Sequence, residues 1–382
     1  MKVLVTGAGG RIGRMLVTAL VERGHDVNAL ELQQHPSVRE LQKMGPGVRV
    51  FRGSVEYYAE VEPAVAGVDA VYHLGAAMGS FTDNQFFHSN VTGTFNVLQA
   101  VRRVAPGLKR FCFPSSDAVY EKYVPGGLKE PIDPERTTRD GKGLYAFSKI
   151  AGEEMCWSYL RTYGIPCVVF RFPIARGAAE LPEFYELWLD GLLNYKRGQI
   201  RADPDAPRAV EILERLQKEA GGERRLVVAR DARGRSYQRV YVDVRDVVSA
   251  LLAALDADAA VGHSFPVGGK DQPAKSEAIV PYLSEKLGVP YVEAKLPGIP
   301  TYYAHDDRQT RRLLRYKPRY SVFDMIDEAL GSAAAATLTS PAGAAKAAKA
   351  AKAAAATGAG GGGGGDGAST RKAGGGGGRS SR

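Results

Sequence analysis

The stretch KVLVTGAGGRIG, residues 2–13, decides how the rest of this chain is interpreted. An apolar run typical of a buried strand leads into a glycine-rich turn, and the turn opens a segment whose apolar residues recur with a helical period. Gly7, Gly10 and Gly13 permit a tight turn, a close backbone approach to a ligand and close helix packing. Since amide groups at a helix N-terminus face outwards, the stretch predicts a pyrophosphate site. A ligand-free turn is the less favoured alternative in this strand–turn–helix context.

A carboxylate at the end of the second predicted strand indicates which dinucleotide the site would bind. Glu31 closes the run VNALE, 18 residues beyond Gly13. A carboxylate at this point can accept hydrogen bonds from the ribose hydroxyls of an adenosine. It would repel a 2′-phosphate, and no arginine adjoins it in the sequence, so NAD is favoured over NADP as the cofactor.

Strand and helix signals alternate over the first 172 residues. Strands are predicted at 2–6, 25–30, 48–52, 70–74, 110–113 and 167–172, and helices at 11–23, 91–104 and 144–163. This alternation of strands and helices predicts an α/β fold with a doubly wound parallel sheet and helices on both faces. Residues 239–268 are expected to return to that sheet as strand–helix–strand. The segments 173–238 and 269–331 are expected to form a smaller, substrate-binding lobe.

The net charge of +9 over 382 residues is concentrated at the end of the chain. Residues 332–382 carry seven basic side chains and one acidic side chain in an Ala-, Lys- and Gly-rich composition. Such a segment cannot bury enough apolar surface to offset its ordering entropy, so a disordered tail is predicted. Nucleic acid is not expected as a partner, apart from weak electrostatic contact through this tail.

Cysteine content and hydropathy exclude several classes of protein. Three cysteines without a CxxC pair argue against a disulfide-stapled fold and against a structural zinc site, so no metal is expected. No signal-peptide pattern and no apolar run of the roughly 20 residues needed to span a membrane is found. These observations predict a cytoplasmic protein that does not enter the membrane.

Three polar side chains predict proton-transfer chemistry at the carboxyl edge of the sheet. Tyr145 and Lys149 lie four residues apart on a predicted helix and share a face. A nearby ammonium is expected to lower the pKa of the phenol and make it a general acid or base. Ser116 follows an apolar strand, where ligands of parallel sheets bind, and could hold a substrate oxygen. Asp117 is either an auxiliary acid or a turn residue.

The histidines are expected to be structural. His73 ends the fourth strand and should support the fold or line the cofactor site. His305, with Asp306 and Asp307, could be read as a set of metal ligands. A polar turn before a helix at 308–314 is the favoured interpretation, because aspartate is common at helix N-termini.

Taken together, these motifs resemble the extended short-chain dehydrogenases/reductases, in particular the NAD-dependent nucleotide-sugar epimerase/dehydratase family. The resemblance covers about residues 1–330 and implies a Rossmann fold, NAD as cofactor, a nucleotide-sugar substrate and a homodimer formed through the two long helices. The matching stretches are VTGAGGRIG at 5–13, GVDAVYHLGAA at 67–77, NVTGTFNVLQA at 90–100, SSDAVY at 115–120, YAFSK at 145–149, VVFRFP at 168–173 and RVYVDVRDVVSALLAAL at 239–255.

The resemblance also implies roles for individual residues. The pyrophosphate of the cofactor is expected to contact Gly7, Gly10, Arg11, Ile12 and Gly13, and its adenosine ribose to contact Glu31. Ser54 and Val55 are expected near the adenine. The nicotinamide half is expected to contact Leu74, Gly75, Ala76, Tyr145, Lys149 and Pro173. Ser54 stands where the family usually has aspartate. Ser116, Tyr145 and Lys149 take the catalytic positions, and Ser116 and Asp117 border the substrate. Arg239 occupies the position that often pairs with the nucleotide diphosphate, which suits a bidentate guanidinium.

The residue two positions after Ser116 bears on the type of reaction. Family dehydratases and decarboxylases usually carry glutamate there, whereas this chain has Ala118. An epimerase that works through a transient keto intermediate is therefore favoured. An NAD-dependent dehydrogenase or reductase of a non-sugar metabolite is the alternative, and net accumulation of NADH would distinguish it. A non-catalytic NAD-sensing protein is disfavoured because Ser116, Tyr145 and Lys149 are all present.

Overall fold

The structure is a computed structural model that describes residues 1–79 and 81–331. The predicted disordered tail at 332–382 lies outside the described residues. The strands are β1 Lys2–Thr6, β2 Asp26–Glu31, β3 Val48–Arg52, β4 Ala70–His73, β5 Arg110–Ser116, β6 Cys167–Phe172, β7 Ile174–Arg176, β8 Leu226–Arg230, β9 Gln238–Arg239, β10 Tyr241–Asp243, β11 Ser264–Pro266, β12 Ala274–Lys275 and β13 Tyr291–Lys295. The α-helices are α1 Arg11–Glu22, α2 Val38–Gln42, α3 Tyr58–Val65, α4 Asp83–Gln85, α5 Gly93–Val104, α6 Leu144–Tyr163, α7 Leu189–Gly198, α8 Ala206–Glu219, α9 Val244–Ala253, α10 Ser276–Leu287, α11 Arg308–Leu313 and α12 Val322–Leu330.

The central sheet has seven parallel strands in the order β11-β6-β5-β4-β1-β2-β3. Because side chains alternate along a strand, Val3 and Val5 of β1 pack on one face against α1, while Leu4 packs on the other. Helices cover both faces, so the inner strands are buried on both sides. Their sequences are therefore nearly continuous runs of apolar residues. The predicted doubly wound parallel sheet is confirmed.

The return of residues 239–268 to the sheet differs from the expectation. Only β11 joins the seven strands, beside β6. The strand β10 pairs instead with β7 in a separate two-stranded sheet. The cause lies at Pro173, between β6 and β7, because proline has no amide hydrogen to continue a ladder. The chain therefore leaves the main sheet there and starts a second pairing.

A second apolar core lies beyond the carboxyl edge of the sheet. It is formed by residues between 178 and 241 together with residues between 274 and 326. The parallel pair β8–β13 and the helices α7, α8, α10 and α12 surround it. Because β7 leads directly from β6 into this lobe, the lobe faces the strand ends that carry the candidate site.

The helix predicted at 91–104 begins in an unusual way. A π-helix at Phe86–Thr92 precedes α5, and it places the Asn90 side chain in the interior. π-Helical segments are rare in proteins and are frequently found at functional sites. No helix in the described ranges is long and apolar enough to cross a membrane.

The glycine turn offers a test of the fold around it. A Cβ atom on Gly13 would lie 2.2 Å from the carbonyl oxygen of Gly7. We expect Gly13→Ala to lower the free energy of unfolding by about 1–3 kcal/mol, because the backbone must shift to accommodate the methyl group. Denaturant titration of the variant measures this loss.

The matched control is Gly107→Ala, since nothing lies within 4 Å of a Cβ atom at Gly107. We expect this variant to unfold like the unmodified protein. Equal stability of the two alanine variants would contradict the close approach of α1 to the turn.

Candidate active site

The turn after β1 fits a pyrophosphate. Gly7 has a φ of +62°, and a Cβ atom there would lie 2.8 Å from the backbone nitrogen of Gly75. The Gly10 amide donates to the Gly7 carbonyl at 3.1 Å, which closes the turn. Arg11 then begins α1, so the first amides of that helix face the space above the glycines. A cradle without side chains at a helix N-terminus is what a pyrophosphate requires.

Glu31 lies against this turn, in a place that suits a ribose. Its Oε2 accepts a hydrogen bond from the Gly9 amide at 2.6 Å, and its Oε1 accepts one from the Leu32 amide at 2.8 Å. The side chain is buried, and each carboxylate oxygen retains a second lone pair. The carboxylate therefore both anchors the glycine turn and can still accept a ribose hydroxyl.

The residues predicted near the adenine have local structural partners. The Ser54 hydroxyl accepts from the Glu56 amide at 3.2 Å, and the Ser54 amide donates to Glu60 at 2.7 Å. Val55 is buried in the core between the sheet and α5. Ser54 thus ends β3 with a turn, and its contact with an adenine stays a prediction.

A buried chain of hydrogen bonds fixes the second turn of the site. The Thr94 hydroxyl donates to the Asn90 carbonyl at 2.6 Å, so it accepts from His73 Nε2 at 3.1 Å. His73 Nδ1 then accepts from the Thr6 hydroxyl at 2.9 Å, and that hydroxyl accepts from the Gly75 amide at 2.9 Å. Burial lowers the pKa of His73 to about 3, so the imidazole is neutral. His73 is a structural link that holds Gly75 beside Gly7.

Asn90 connects this turn to the long helix α6. Its Oδ1 accepts from the Ala77 amide at 2.7 Å, and its Nδ2 donates to the Ser148 hydroxyl at 2.9 Å. The Ser148 hydroxyl in turn donates to the Tyr145 carbonyl at 2.8 Å. The neighbours Leu74, Gly75 and Ala76 are partly or fully exposed at the sheet edge, where a cofactor could contact them.

The three predicted catalytic side chains converge at the carboxyl end of β5. The Tyr145 hydroxyl is hydrogen-bonded to Ser116. The Ser116 hydroxyl also accepts from the Ala118 amide at 3.1 Å. Lys149 is buried, donates to the Pro114 carbonyl at 2.8 Å, and places Nζ 6.0 Å from the centroid of the Tyr145 ring. Pro173, also buried, follows the neighbouring strand β6.

The pKa of Tyr145 does not follow the sequence-based expectation. Burial raises the pKa of its phenol to about 12, and the hydrogen bond with Ser116 offsets only part of that rise. Burial also lowers the pKa of Lys149 to about 8. The predicted lowering of the tyrosine pKa is wrong for this state of the site, because the ammonium is directed at Pro114 and desolvation dominates.

Asp117 is an ionised carboxylate inside the protein. It forms a buried ion pair with Lys122, and its Oδ2 lies 3.4 Å from Nε2 of His305. Burial opposes its ionisation, but the charge of Lys122 and the contact with the His305 imidazole hold the pKa of Asp117 at about 2. An auxiliary acid would need to be protonated, so this arrangement does not fit that alternative. His305 precedes α11, as expected for a polar turn before a helix, but its side chain is only 1% exposed.

Arg239 is paired within the chain. Its Nη2 lies 2.5 Å from Glu186 Oε1 and 3.4 Å from the Thr301 hydroxyl. Both partners of this ion pair are buried. The guanidinium charge is therefore compensated by the protein itself, whereas a clamp for a diphosphate requires a free cation.

Glu153 is a residue of the site that the sequence analysis did not single out. Its Oε1 accepts from the Ser115 hydroxyl at 2.6 Å and from Arg171 Nε at 2.9 Å. Its Oε2 accepts from Arg171 Nη2 at 2.7 Å and from Arg139 Nη1 at 3.0 Å. The carboxylate is fully buried and joins α6 to the ends of β5 and β6. The sequence does indicate that Glu153 lies on the same face of the helix as Lys149, because it follows Lys149 by one helical turn.

Among residues 1–79 and 81–331, no group of three or more His, Cys, Asp or Glu side chains could hold a metal ion.

We expect Glu153→Gln to lower the free energy of unfolding by about 3–5 kcal/mol, since it leaves the buried Arg171 without its counter-charge. Denaturant unfolding measures the loss. The neighbouring Glu154→Gln is the matched control, because Glu154 is half exposed and pairs with Arg139 only at the surface. That variant should lose less than about 1 kcal/mol. Similar losses in both variants would contradict a special role for Glu153.

Comparison with known proteins agrees with this geometry. The sequence model of the NAD-dependent epimerase/dehydratase family matches residues 3–268. A short-chain dehydrogenase/reductase superfamily protein from Agrobacterium tumefaciens, solved with bound NAD, is 30% identical and superposes with a TM-score of 0.73 over 87% of this chain and 96% of that one.

Relatives with different activities match the chain over different lengths. An uncharacterised UDP-glucose epimerase of Bacillus subtilis is 24% identical and covers 85% of this chain and 95% of its own length. A 2-alkyl-3-oxoalkanoate reductase of Stenotrophomonas maltophilia is 45% identical over 155 residues, 40% of this chain, and the match spans only 45% of that reductase. The family match extends over more than half of the chain, so this protein belongs to the NAD-dependent epimerase/dehydratase family of short-chain dehydrogenase/reductase enzymes, and its cofactor is NAD.

Proposed function

We propose that this chain is an epimerase of a nucleotide-diphosphate sugar that oxidises one sugar hydroxyl transiently and reduces the resulting ketone from the other face. The observation that carries the proposal is the convergence of Ser116, Tyr145 and Lys149 at the edge of the sheet, beside the turns that fit NAD. Bound NAD supplies hydride exchange at the reacting carbon. The side chains supply the accompanying proton transfers.

Each of the three side chains would have one task. The Ser116 hydroxyl would hold the substrate oxygen, and the Tyr145 hydroxyl, hydrogen-bonded to it, would take or return the proton of that oxygen. The Lys149 ammonium, fixed by the Pro114 carbonyl, would stabilise the tyrosinate as it forms and could bind the ribose next to the nicotinamide. The pKa of about 8 lets Lys149 exist largely in its charged form at neutral pH.

The similarity to a UDP-glucose epimerase over most of both chains supports a nucleotide sugar as substrate. Ala118 supports epimerisation, because the family dehydratases and decarboxylases usually have an acid at that position.

The closed Arg239–Glu186 pair favours a second candidate, an NAD-dependent dehydrogenase or reductase of a smaller, non-nucleotide substrate. Binding a diphosphate at Arg239 would require this buried pair to open and leave the Glu186 carboxylate uncompensated, which is costly. A substrate without a diphosphate would leave the pair intact. The similarity of 40% of the chain to an oxoalkanoate reductase is compatible with this candidate.

We also propose that the protein is a homodimer formed through α5 and α6. These helices pack side by side on one face of the sheet, and they leave Phe95 45% exposed and Phe147 48% exposed. Apolar rings of this size on adjacent helices suit burial against a second copy.

Tyr145→Phe tests the proton-transfer role. We expect turnover to fall by about 10²–10⁴-fold while NAD binding is unchanged, because only the hydroxyl is removed. Isothermal titration with NAD and a steady-state assay measure the two quantities. Tyr163→Phe is the control on the same helix, since Tyr163 is 51% exposed at its far end. A Tyr145→Phe enzyme that turns over at the unmodified rate would contradict the assignment.

One experiment distinguishes the two candidate activities. The full chain with NAD is incubated with UDP-glucose or GDP-mannose, and the products are followed by NMR while NADH is followed by its absorbance. An epimerase converts the sugar and accumulates no NADH, because the hydride returns to the substrate. Unchanged nucleotide sugars, together with NADH formed from a free sugar or hydroxy acid, would overturn the first proposal in favour of the second.

A further inference from the structure

Arg176 is a charged side chain that neither function uses. It ends β7, opposite Asp243 of β10, in the seam between the sheet edge and the smaller lobe. The residue is partly buried, and its guanidinium stacks 5.6 Å from the ring centroid of Phe184. Within the described part of the chain, this guanidinium forms no hydrogen bond and no ion pair with another residue, although the Arg176 backbone belongs to the β7–β10 pair. A partly buried guanidinium normally has an acceptor, because desolvating its charge without one is unfavourable.

The neighbouring carboxylates are already occupied. Asp243 binds Arg245 through both oxygens, at 2.9 and 2.7 Å. Glu180 uses Oε1 to pair with Arg11 at 2.7 Å and Oε2 to accept from the Gly177 amide at 2.9 Å. Burial and the charge of Arg11 lower the pKa of Arg176, as expected for two cations that share one carboxylate. Glu328 also pairs with Arg245, at 2.8 Å, so none of these three carboxylates is bonded to Arg176.

The seam adjoins the start of α1. Arg11 is the first residue of that helix, and its Nη1 donates at 3.2 Å to the carbonyl of Ala175, the residue before Arg176. The charge of Arg11 also acts on Arg176, so the two guanidinium groups lie near each other, and Arg11 is the residue that follows the glycine turn. The partial positive charge of a helix N-terminus and an arginine together form a strong attraction for an oxyanion.

We infer that Arg176 binds an oxyanion at the seam between the cofactor site and the smaller lobe. Two sources present that chemistry: the pyrophosphate of the dinucleotide, and a phosphate or carboxylate group of the substrate. In the first case Arg176 reinforces NAD binding, and in the second it selects anionic substrates. The inference rests on the cofactor site proposed at Gly7–Gly13 but not on the choice between epimerase and dehydrogenase.

Isothermal titration of the cofactor-free full chain with NAD, ADP and adenosine tests the first source. If the pyrophosphate is the ligand, Arg176→Met weakens NAD and ADP binding by about tenfold or more and leaves adenosine binding unchanged, since a charge-assisted hydrogen bond is lost. Arg176→Lys should recover part of the affinity. Arg308→Met removes the same charge from an exposed ion pair with Asp306 and should change nothing.

Inorganic phosphate, titrated into the NAD-loaded protein, tests the second source. If the substrate anion is the ligand, phosphate raises the melting temperature of the unmodified protein and not of Arg176→Met, while NAD affinity stays unchanged. Equal NAD, ADP and phosphate binding in the two proteins would overturn the inference. These readouts need no turnover, so failure of the proposed reaction would not be mistaken for failure of the anion site.

The melting temperature without ligand shows whether the variant folds. Because Arg176 has no ionic partner to lose, Arg176→Met should melt no lower than the unmodified protein. A large drop would indicate that the guanidinium supports the seam itself, which would also overturn the inference.

Discussion

The buried carboxylate of Glu153 is the constraint on which the candidate site depends. It accepts four hydrogen bonds, from Ser115 at the end of β5, from Arg171 at the end of β6, and from Arg139 in the loop between β5 and α6. A buried charge of this kind is tolerated only when its partners are held in position. The same contacts fix the position of α6 relative to the sheet. They therefore also fix the distance of Tyr145 and Lys149 from the end of β5.

A second network of hydrogen bonds, without charged groups, fixes the turns that fit the cofactor. The hydrogen bonds from Thr6 through His73 and Thr94 run across the ends of β1 and β4, and Asn90 continues them to α6. A neutral imidazole with one donor and one acceptor fits such a chain without an uncompensated charge. The turns that fit NAD and the helix that carries Tyr145 are therefore parts of one hydrogen-bonded structure.

The sequence predicted the elements that depend on local pattern. The glycine turn, the parallel sheet and the spacing of Tyr145 and Lys149 follow from periodicity and from residues close together in the chain. The partners of Asp117 and Arg239 could not be predicted in this way. His305 and Glu186 are distant in sequence, and only packing brings them to those side chains. These contacts decide which charges remain free for a substrate.

The pKa of Tyr145 differs from the sequence-based expectation for a related reason. The spacing of YAFSK indicates that the ammonium of Lys149 is near, but not that its hydrogen bond goes to the Pro114 carbonyl. It also does not reveal how much water the surrounding side chains exclude. The free energy of desolvation exceeds the attraction to a cation that is directed elsewhere, so burial determines the direction of the shift.

We propose that the glycine turn and Glu31 hold NAD beside Tyr145 and Lys149. Isothermal titration of the cofactor-free full chain with NAD and with NADP tests it most directly. We expect one NAD per chain and at least about 100-fold weaker binding of NADP, because the 2′-phosphate would face the buried Glu31 carboxylate. Equal binding of both nucleotides, or of neither, would contradict the account.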